Sequence, residues 1–568
     1  MLDIATATQP VVIRHSQVLL PLIVVLFLSN IRLSPAQTVL DSLGCTYLEE
    51  LFDKISDPQL VTDYYFRALN DLRLPGEANR KRLERLSSDI SSIISQKELR
   101  FFQGLQTATE KVAFFTQFWY VRDLTPATPV HERLIEHYTR LNHARQKFPA
   151  PAKPGYDARG DVYIRYGPPD EKVIDAVPRG SAPFETWAYY RFASPATFDF
   201  VRKGFAYWLA TNIDDGIVFT NKPIAYLNEL AERLRQRAGL SLEYNKLWLK
   251  VEEYRGMGAG TVSKNFVNIR RELQRSYNEF FVENTTTIAN LPQTTSRVLD
   301  RWPDLPLDVQ IALFRAPGKK HDLVVSYGFQ LDDLLPTDAD SEIVMYGTTA
   351  VRNAERAFLT GKTDTLAFAQ HDLADSSQFV ACSQFKLPEG GYFVAVDVKA
   401  PETQQRGLRD FTVSTGNYAS GKLGLSVPIL AKQVVPISER RPQPGYFIRG
   451  NLAIRPHPFT LLQRRDRVYL YFEIYNLQLD RDGETRFEVQ YRVQSTGGKG
   501  LLSKLNPLGG KRRAVSVTDL RYGHVPDEQV FLQLGFGDLE EGDYVLHIRV
   551  TDLVAGVRKE KRMPLVLK

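Results

Sequence analysis

Cysteine is almost missing from this chain: Cys45 and Cys382 are the only two thiols in 568 residues. A protein of this length with at most one possible bridge is not a disulfide scaffold. The two thiols lie far apart and in different expected domains, so they are read as unpaired and buried. Long apolar runs are also missing after the N-terminus. Val18 to Leu28 is an apolar run interrupted only by Pro21, preceded by Arg14 and His15 and followed by Ser34-Pro35-Ala36. This pattern predicts a secretory signal peptide over residues 1–36, cleaved after Ala36, and the run is short for a bilayer span. The expectation is an exported protein, periplasmic, cell-surface or secreted, with no transmembrane segment after cleavage. Leu43-Gly44-Cys45 does not make a lipoprotein site, because Ser42 stands where an aliphatic residue is needed. Charge of one sign is lacking as well. The 72 basic and 66 acidic residues nearly balance at a net +6, which argues against a nucleic-acid partner. The densest basic runs, Lys511-Arg512-Arg513 and Arg558-Lys559-Glu560-Lys561-Arg562, read as a solvated loop and a charged strand end.

What is present points to several domains, since one hydrophobic core does not organise a chain this long. Residues 46–148 read as helical. In the last of these helices Thr128 is the expected N-cap, Pro129 the first helical residue, and Leu134, Tyr138, Leu141 and Phe148 the apolar stripe. The stretch Gly160 to Glu171, G-D-V-Y-I-R-Y-G-P-P-D-E, reads as a period-two strand entering a rigid double-proline turn. Strands are expected at 184–191 and 205–209, with Arg165 and Glu185 meeting across an antiparallel pair. Residues 221–238 and 263–281 read as helices, 240–253 as strand or helix, and 292–306 as a linker. From about 306 the pattern is all-β. Glu389-Gly-Gly-Tyr-Phe-Val-Ala-Val-Asp-Val398 aligns without a gap against Glu541-Gly-Asp-Tyr-Val-Leu-His-Ile-Arg-Val550. A glycine turn, a tyrosine and an alternating strand are how a late immunoglobulin-like strand begins, so two successive sandwiches are expected. The fold class is thus a helical region (37–99), a small α+β module with an antiparallel sheet (100–215), a helical connector (216–300) and two immunoglobulin-like β-sandwiches (301–432 and 433–568).

Catalytic motifs are incomplete. His131-Glu132 and Glu136-His137 resemble a zinc-protease helix, but the histidines are six apart and fall on different faces, and they are read as surface-helix residues. Gly256-Met-Gly258-Ala-Gly260 and Gly509-Gly510-Lys511 lack the phosphate-loop spacing and ending, and no G-x-S-x-G elbow exists. Neither a metal nor a cofactor is therefore expected. Tyr469, Tyr471 and Tyr475 form an aromatic stripe that suits packing better than sugar binding. The densest polar cluster near an expected sheet is Arg159, Asp161, Arg165, Asp170, Glu171 and Glu185, beside Trp187. Paired carboxylates serve as acid and base when their environments separate their pKa values. The same residues also stabilise turns and pair with arginine, which is the favoured reading.

These residues carry a resemblance. Phe118-Trp119, the run Arg122 to Pro129, the run Arg159 to Glu171, and Glu185-Thr-Trp187-Ala-Tyr189-Tyr190 resemble the bacterial GWxTD domain over about residues 100–210. The name-giving segment reads Pro154-Gly155-Tyr156-Asp157-Ala158 here, without its Trp and Thr. The resemblance implies an exported bacterial protein, often with β-sandwich domains following, and supplies no reaction, cofactor or catalytic residue. The functional expectation is a non-catalytic binding or assembly protein of the cell envelope, its partner a protein or a glycan. The rival is a hydrolase or transferase using the carboxylate cluster, which requires Asp170, Glu171 and Glu185 to converge in a pocket beside Arg159 or Arg165.

Overall fold

The computed structural model describes residues 39–175, 181–218, 221–292, 294–295, 302–334, 343–368, 378–416, 421–438, 445–496, 514–537 and 539–568. The expected signal peptide, the Lys511 run and the Gly509-Gly510-Lys511 segment lie outside these. The described residues fall into two units. One spans Arg32–Leu124 and Val130–Asp300, the other Arg301–Lys568 with the short stretch Thr125–Pro129.

The first unit begins with helices α1 Val39–Ser42, α2 Leu51–Lys54, α3 Pro58–Asp71, α4 Glu77–Asp89, α5 Gln96–Gln103, α6 Ala108–Tyr120, α7 Glu132–Lys147 and α8 Ala158–Tyr166. An antiparallel sheet follows in the order β1 Glu171–Ile174, β2 Phe184–Tyr189, β3 Ala196–Lys203 and β4 Ala206–Leu209. Helices α9 Pro223–Arg237, α10 Leu242–Gly256 and α11 Ala259–Asn290 close it. Sequence signals set several ends. Ser95 and Thr107 make reciprocal capping boxes with Glu98 and Glu110 at α5 and α6. Helix α7 starts later than expected. His131, not Thr128, caps it through its ring Nδ1, which accepts from Leu134 N at 3.1 Å, while Thr128 closes a turn onto the Thr125 carbonyl.

The largest correction falls on residues 158–166, which are helix and not strand. Asp157 caps the helix by accepting from Arg159 N at 3.0 Å. Asp161 pairs with Arg165 one turn on. Gly167 ends it at φ 76°, a conformation glycine adopts freely. The alternation that suggested a strand has a helical cause. Gly160 with Ile164, and Val162 with Tyr166, are two i, i+4 stripes on opposite faces, and all four residues are buried. Helix α8 is packed against both α7 and β4, so alternate residues are covered. A side chain at Gly160 would place its Cβ 2.7 Å from that of Tyr156, so glycine is needed at that close approach. The double-proline turn therefore links a helix to β1, and Arg165 does not meet Glu185 across a sheet.

All six residues of β2 are buried, because helices cover both faces of the sheet. On one face Trp187, Tyr189, Phe198 and Phe200 join the core made by 39–166. On the other Phe184, Ala188 and Val201 pack with α9, α10 and α11. Helices α9, α10 and α11 are thus the second cover of the sheet, where a helical connector was expected. The ambiguous 240–253 stretch is helix, capped by Ser241.

The second unit contains two sandwiches. In the first, β5 Asp308–Ala316, β6 Lys320–Gln330 and β9 Gln378–Leu387 form one sheet. The other is β11 Gln405–Ser414, β10 Gly391–Ala400, β7 Ile343–Arg352 and β8 Phe358–Phe368, in that order. Their inner faces share one core. The second sandwich repeats this wiring. Strands β13 Ile429–Pro436, β17 Arg467–Tyr475 and β20 Glu528–Gly535 form one sheet, with short β12 Gly424–Leu425 on β17 and the hairpin β14 Phe447–Arg449 and β15 Leu452–Pro456 added beyond β13. The facing sheet runs β16 Leu461–Leu462, β22 Val557–Leu567, β21 Gly542–Asp552, β18 Thr485–Ser495 and β19 Ala514–Gly523. In both sandwiches the fourth strand pairs beside the third, a variant of the immunoglobulin arrangement. The echo found in the sequence lies on β10 and β21. Tyr392 donates its hydroxyl to the Pro388 carbonyl and Tyr544 to the Glu540 carbonyl, each at 2.8 Å, which is the tyrosine corner. A third apolar layer, with Phe314 and Val324 against Ile429, Phe447 and Ile454, stacks the sandwiches on each other. Strand β13 runs across residue 432, so the second sandwich begins before 433. Cys45 and Cys382 are both free thiols.

Candidate functional site

Three of the seven residues singled out in the sequence come together. Glu185 on β2 is 2% exposed. It accepts from Arg159 Nη1 at 3.0 Å, from Trp187 Nε1 at 2.6 Å, and pairs with Lys172 Nζ at 2.8 Å. Burial pushes its carboxyl pKa up, but the hydrogen bonds from Lys172, Trp187 and Arg159 and the charge of Lys172 outweigh that and leave it lowered. The Arg159 guanidinium lies 3.7 Å from the centroid of the Tyr207 ring and also holds Asp157 Oδ2 at 2.8 Å. Asp157 accepts as well from Tyr207 N at 3.0 Å, so one carboxylate caps α8, anchors the arginine and occupies a free donor of edge strand β4.

The remaining four sit elsewhere. Asp161 and Arg165 form a half-buried pair on α8, 3.2 Å apart. Asp170 Oδ2 accepts from Tyr190 N at 2.7 Å and from Arg191 N at 3.3 Å, and a second oxygen pairs with the Arg191 side chain. It is committed to the turn after the prolines. Glu171 accepts from the Tyr190 hydroxyl at 3.1 Å, and burial with this carboxylate pushes the phenol up to about 12. In the β1–β2 ladder Glu171 pairs with Ala188 and Glu185 with Ile174. The two glutamates are therefore three steps apart, about 10 Å along the strand, and on opposite faces of the sheet. Asp170, Glu171 and Glu185 do not converge, whereas a shared acid–base site requires that they do.

Sequence reasoning missed Asp157, Lys172 and Tyr207, and three other buried networks. Asp199 on β3 accepts from Thr186 Oγ1 at 2.6 Å and from the hydroxyls of Tyr244 and Tyr277 at 2.8 and 3.3 Å. Burial raises its pKa against these donors and Arg237. Asp89 pairs with Arg145 at 2.6 Å, and burial with the nearby Glu49 charge pushes it up to about 7. In the second unit Glu473 binds Arg449 through two 2.7 Å hydrogen bonds and accepts from Tyr471 and Tyr475, each at 2.7 Å. Arg449 also pairs with Asp322 of the first sandwich. The tyrosine stripe is thus packed and hydrogen-bonded rather than open. The clue was available only as an acid or arginine set in an otherwise apolar strand. His131 and His137 are buried against Trp119, not on the surface. Each spends its Nε2 on backbone: His131 Nε2 lies 2.9 Å from the Trp119 carbonyl and His137 Nε2 lies 3.1 Å from that of Asp89. Among the described residues no group of three His, Cys, Asp or Glu is placed to hold a metal, and no helix is long and apolar enough to cross a membrane.

No family model matches the chain, and no curated protein matches it. Solved structures similar in part include Escherichia coli alpha-2-macroglobulin activated by porcine elastase, at 11% identity and a TM-score of 0.14, covering 48% of this chain and 23% of that one. Another is a calcium-binding mutant of Bacteroides uniformis beta-glucuronidase 2, at 9% identity and a TM-score of 0.14, covering 43% of this chain and 26% of that one. The chain therefore spans a minor part of either protein's length.

Proposed function

We propose that the protein is a non-catalytic binding or assembly component of the bacterial cell envelope, exported by its N-terminal signal and related to GWxTD-domain proteins. The observation that carries this reading is the saturation of the conspicuous polar cluster. Glu185 is enclosed by Arg159, Lys172 and Trp187, Asp170 is spent on a turn, and Glu171 faces the other side of the sheet. Such groups hold a scaffold, whereas catalysis needs them free and convergent. Two tandem sandwiches then present broad sheet faces and end loops, the surfaces such domains use for recognition. The test is retention of the purified full-length protein on defined envelope fractions, namely peptidoglycan, outer-membrane protein and surface polysaccharide. Saturable retention by one fraction supports the reading. Turnover of an ester, glycoside or peptide substrate that is lost in Glu185→Gln would replace it with the hydrolase or transferase alternative.

A further inference from the structure

The outer face of the β16-β22-β21-β18-β19 sheet carries a hollow of about 250 Å³ lined by Gln490, Arg492, Ser516, His547, Arg549 and Glu560. The ladder puts Ser516, Arg492, His547 and Arg562 in one cross-strand row and Thr518, Gln490, Arg549 and Glu560 in the next. The first row thus sets two arginines on either side of a histidine, with no carboxylate of its own. Glu560 supplies one from the next row, pairing with His547 Nδ1 at 3.2 Å, Arg549 at 3.3 Å and Arg562 at 3.4 Å. Arg549 is further committed to Gln490 Oε1 at 3.2 Å. Arg492, directly opposite His547, is exposed and has no ion pair among the described residues. Nothing in the fold needs that row, since the inner face of the same strands already supplies the core.

We propose that this hollow binds an acidic sugar chain, with a sugar carboxylate on Arg492 and the flanking hydroxyls on Gln490, Ser516 and Glu560. The guanidinium fork matches a carboxylate. A neighbouring acid, amide and hydroxyl match polyol hydroxyls, and the Glu560 charge repels a denser polyanion such as polyphosphate. The volume falls below the roughly 300–1,000 Å³ of a pocket that swallows a whole ligand, so the site takes one unit of a chain lying across the strands. The proposal rests on the binding reading above and gives its ligand class.

The experiment is calorimetric titration of the full-length protein with an oligogalacturonate, a neutral galactan oligomer of equal length, and polyphosphate. The acidic oligomer binds saturably, the neutral one at least tenfold more weakly, and Arg492→Ala weakens acidic binding at least tenfold. Arg492 is exposed, so an unchanged circular dichroism spectrum and melting temperature verify that variant. Equal binding of the neutral oligomer, stronger binding of polyphosphate, or indifference to Arg492→Ala overturns the proposal. If the acidic oligomer fails while an envelope fraction still retains the protein, only this site is lost. If every fraction fails too, the binding reading falls with it.

Discussion

Glu185 in the first unit and Glu473 in the second are buried in the same way. Each carboxylate is 2–6% exposed, faces one arginine and accepts from aromatic donors, an indole in one case and two phenols in the other. Both are held at lowered pKa because those partners outweigh burial. They differ in what they join. Glu185 ties β2 to α8 and β1 within one layered unit, whereas Glu473 and Arg449 reach Asp322 and so tie two sandwiches together. Only the first drew notice in the sequence, because it lies beside a recognisable motif. The second shows that a carboxylate–arginine–aromatic clamp is a building device of this chain, and a poor marker of chemistry by itself.

The comparison breaks hardest at Glu473. Replacing it with Ala leaves Arg449 with Asp322 as its one remaining carboxylate and strips the buried Tyr471 and Tyr475 hydroxyls of their acceptor, and a loss of about 3–5 kcal/mol is expected in urea unfolding of the second unit. Changing Arg449, Glu473 and Asp322 together to apolar residues of similar size should recover much of that loss. Glu185→Ala is the matching test, with an expected loss of about 2–3 kcal/mol, smaller because Lys172 is 40% exposed and regains water. A change in both transitions together would mean that the two clamps are not independent.

The buried acids of the first unit also separate the units by pH. Burial and Glu49 place Asp89 near 7 in the folded state, against about 3.9 unfolded. Between those values the folded chain binds more protons than the unfolded one, so this group lowers stability as pH rises from about 4 to about 7. Glu473, shifted down, has the opposite sign and loses its contribution only as pH falls through its lowered value. Melting temperatures between pH 5 and 7 should decline for the first unit, with a flatter profile in Asp89→Asn. The smallest effect is expected at the corners. Tyr392→Phe and Tyr544→Phe each remove one hydroxyl–carbonyl bond and should cost about 1 kcal/mol. Equal losses support the equivalence of β10 and β21, and a loss at only one would break it.

The all-β half was readable because its strands alternate and its turns carry glycine, as at Glu389 and Glu541. Residues 158–166 were not, since a nine-residue helix covered on two sides buries every second residue and imitates a strand. Of the helices at 223–290, the first and last were read as helices and the middle one as strand or helix, but their role was hidden: β2 buries both faces, so no alternation announced that a second layer was required. Of the cluster, the contact of Arg159 with Glu185 depends on that misread helix, and Lys172 became visible only with the β1–β2 register.

The stacked sandwiches carry a practical consequence for anyone dissecting the molecule. Because Phe314 and Val324 lean on Ile429, Phe447 and Ile454, neither half has a finished outer skin where it meets the other. A fragment ending at 432 would sever a strand and bare an oily flank with a stranded aspartate, so it should clump. A piece running from 302 to the end keeps that flank covered.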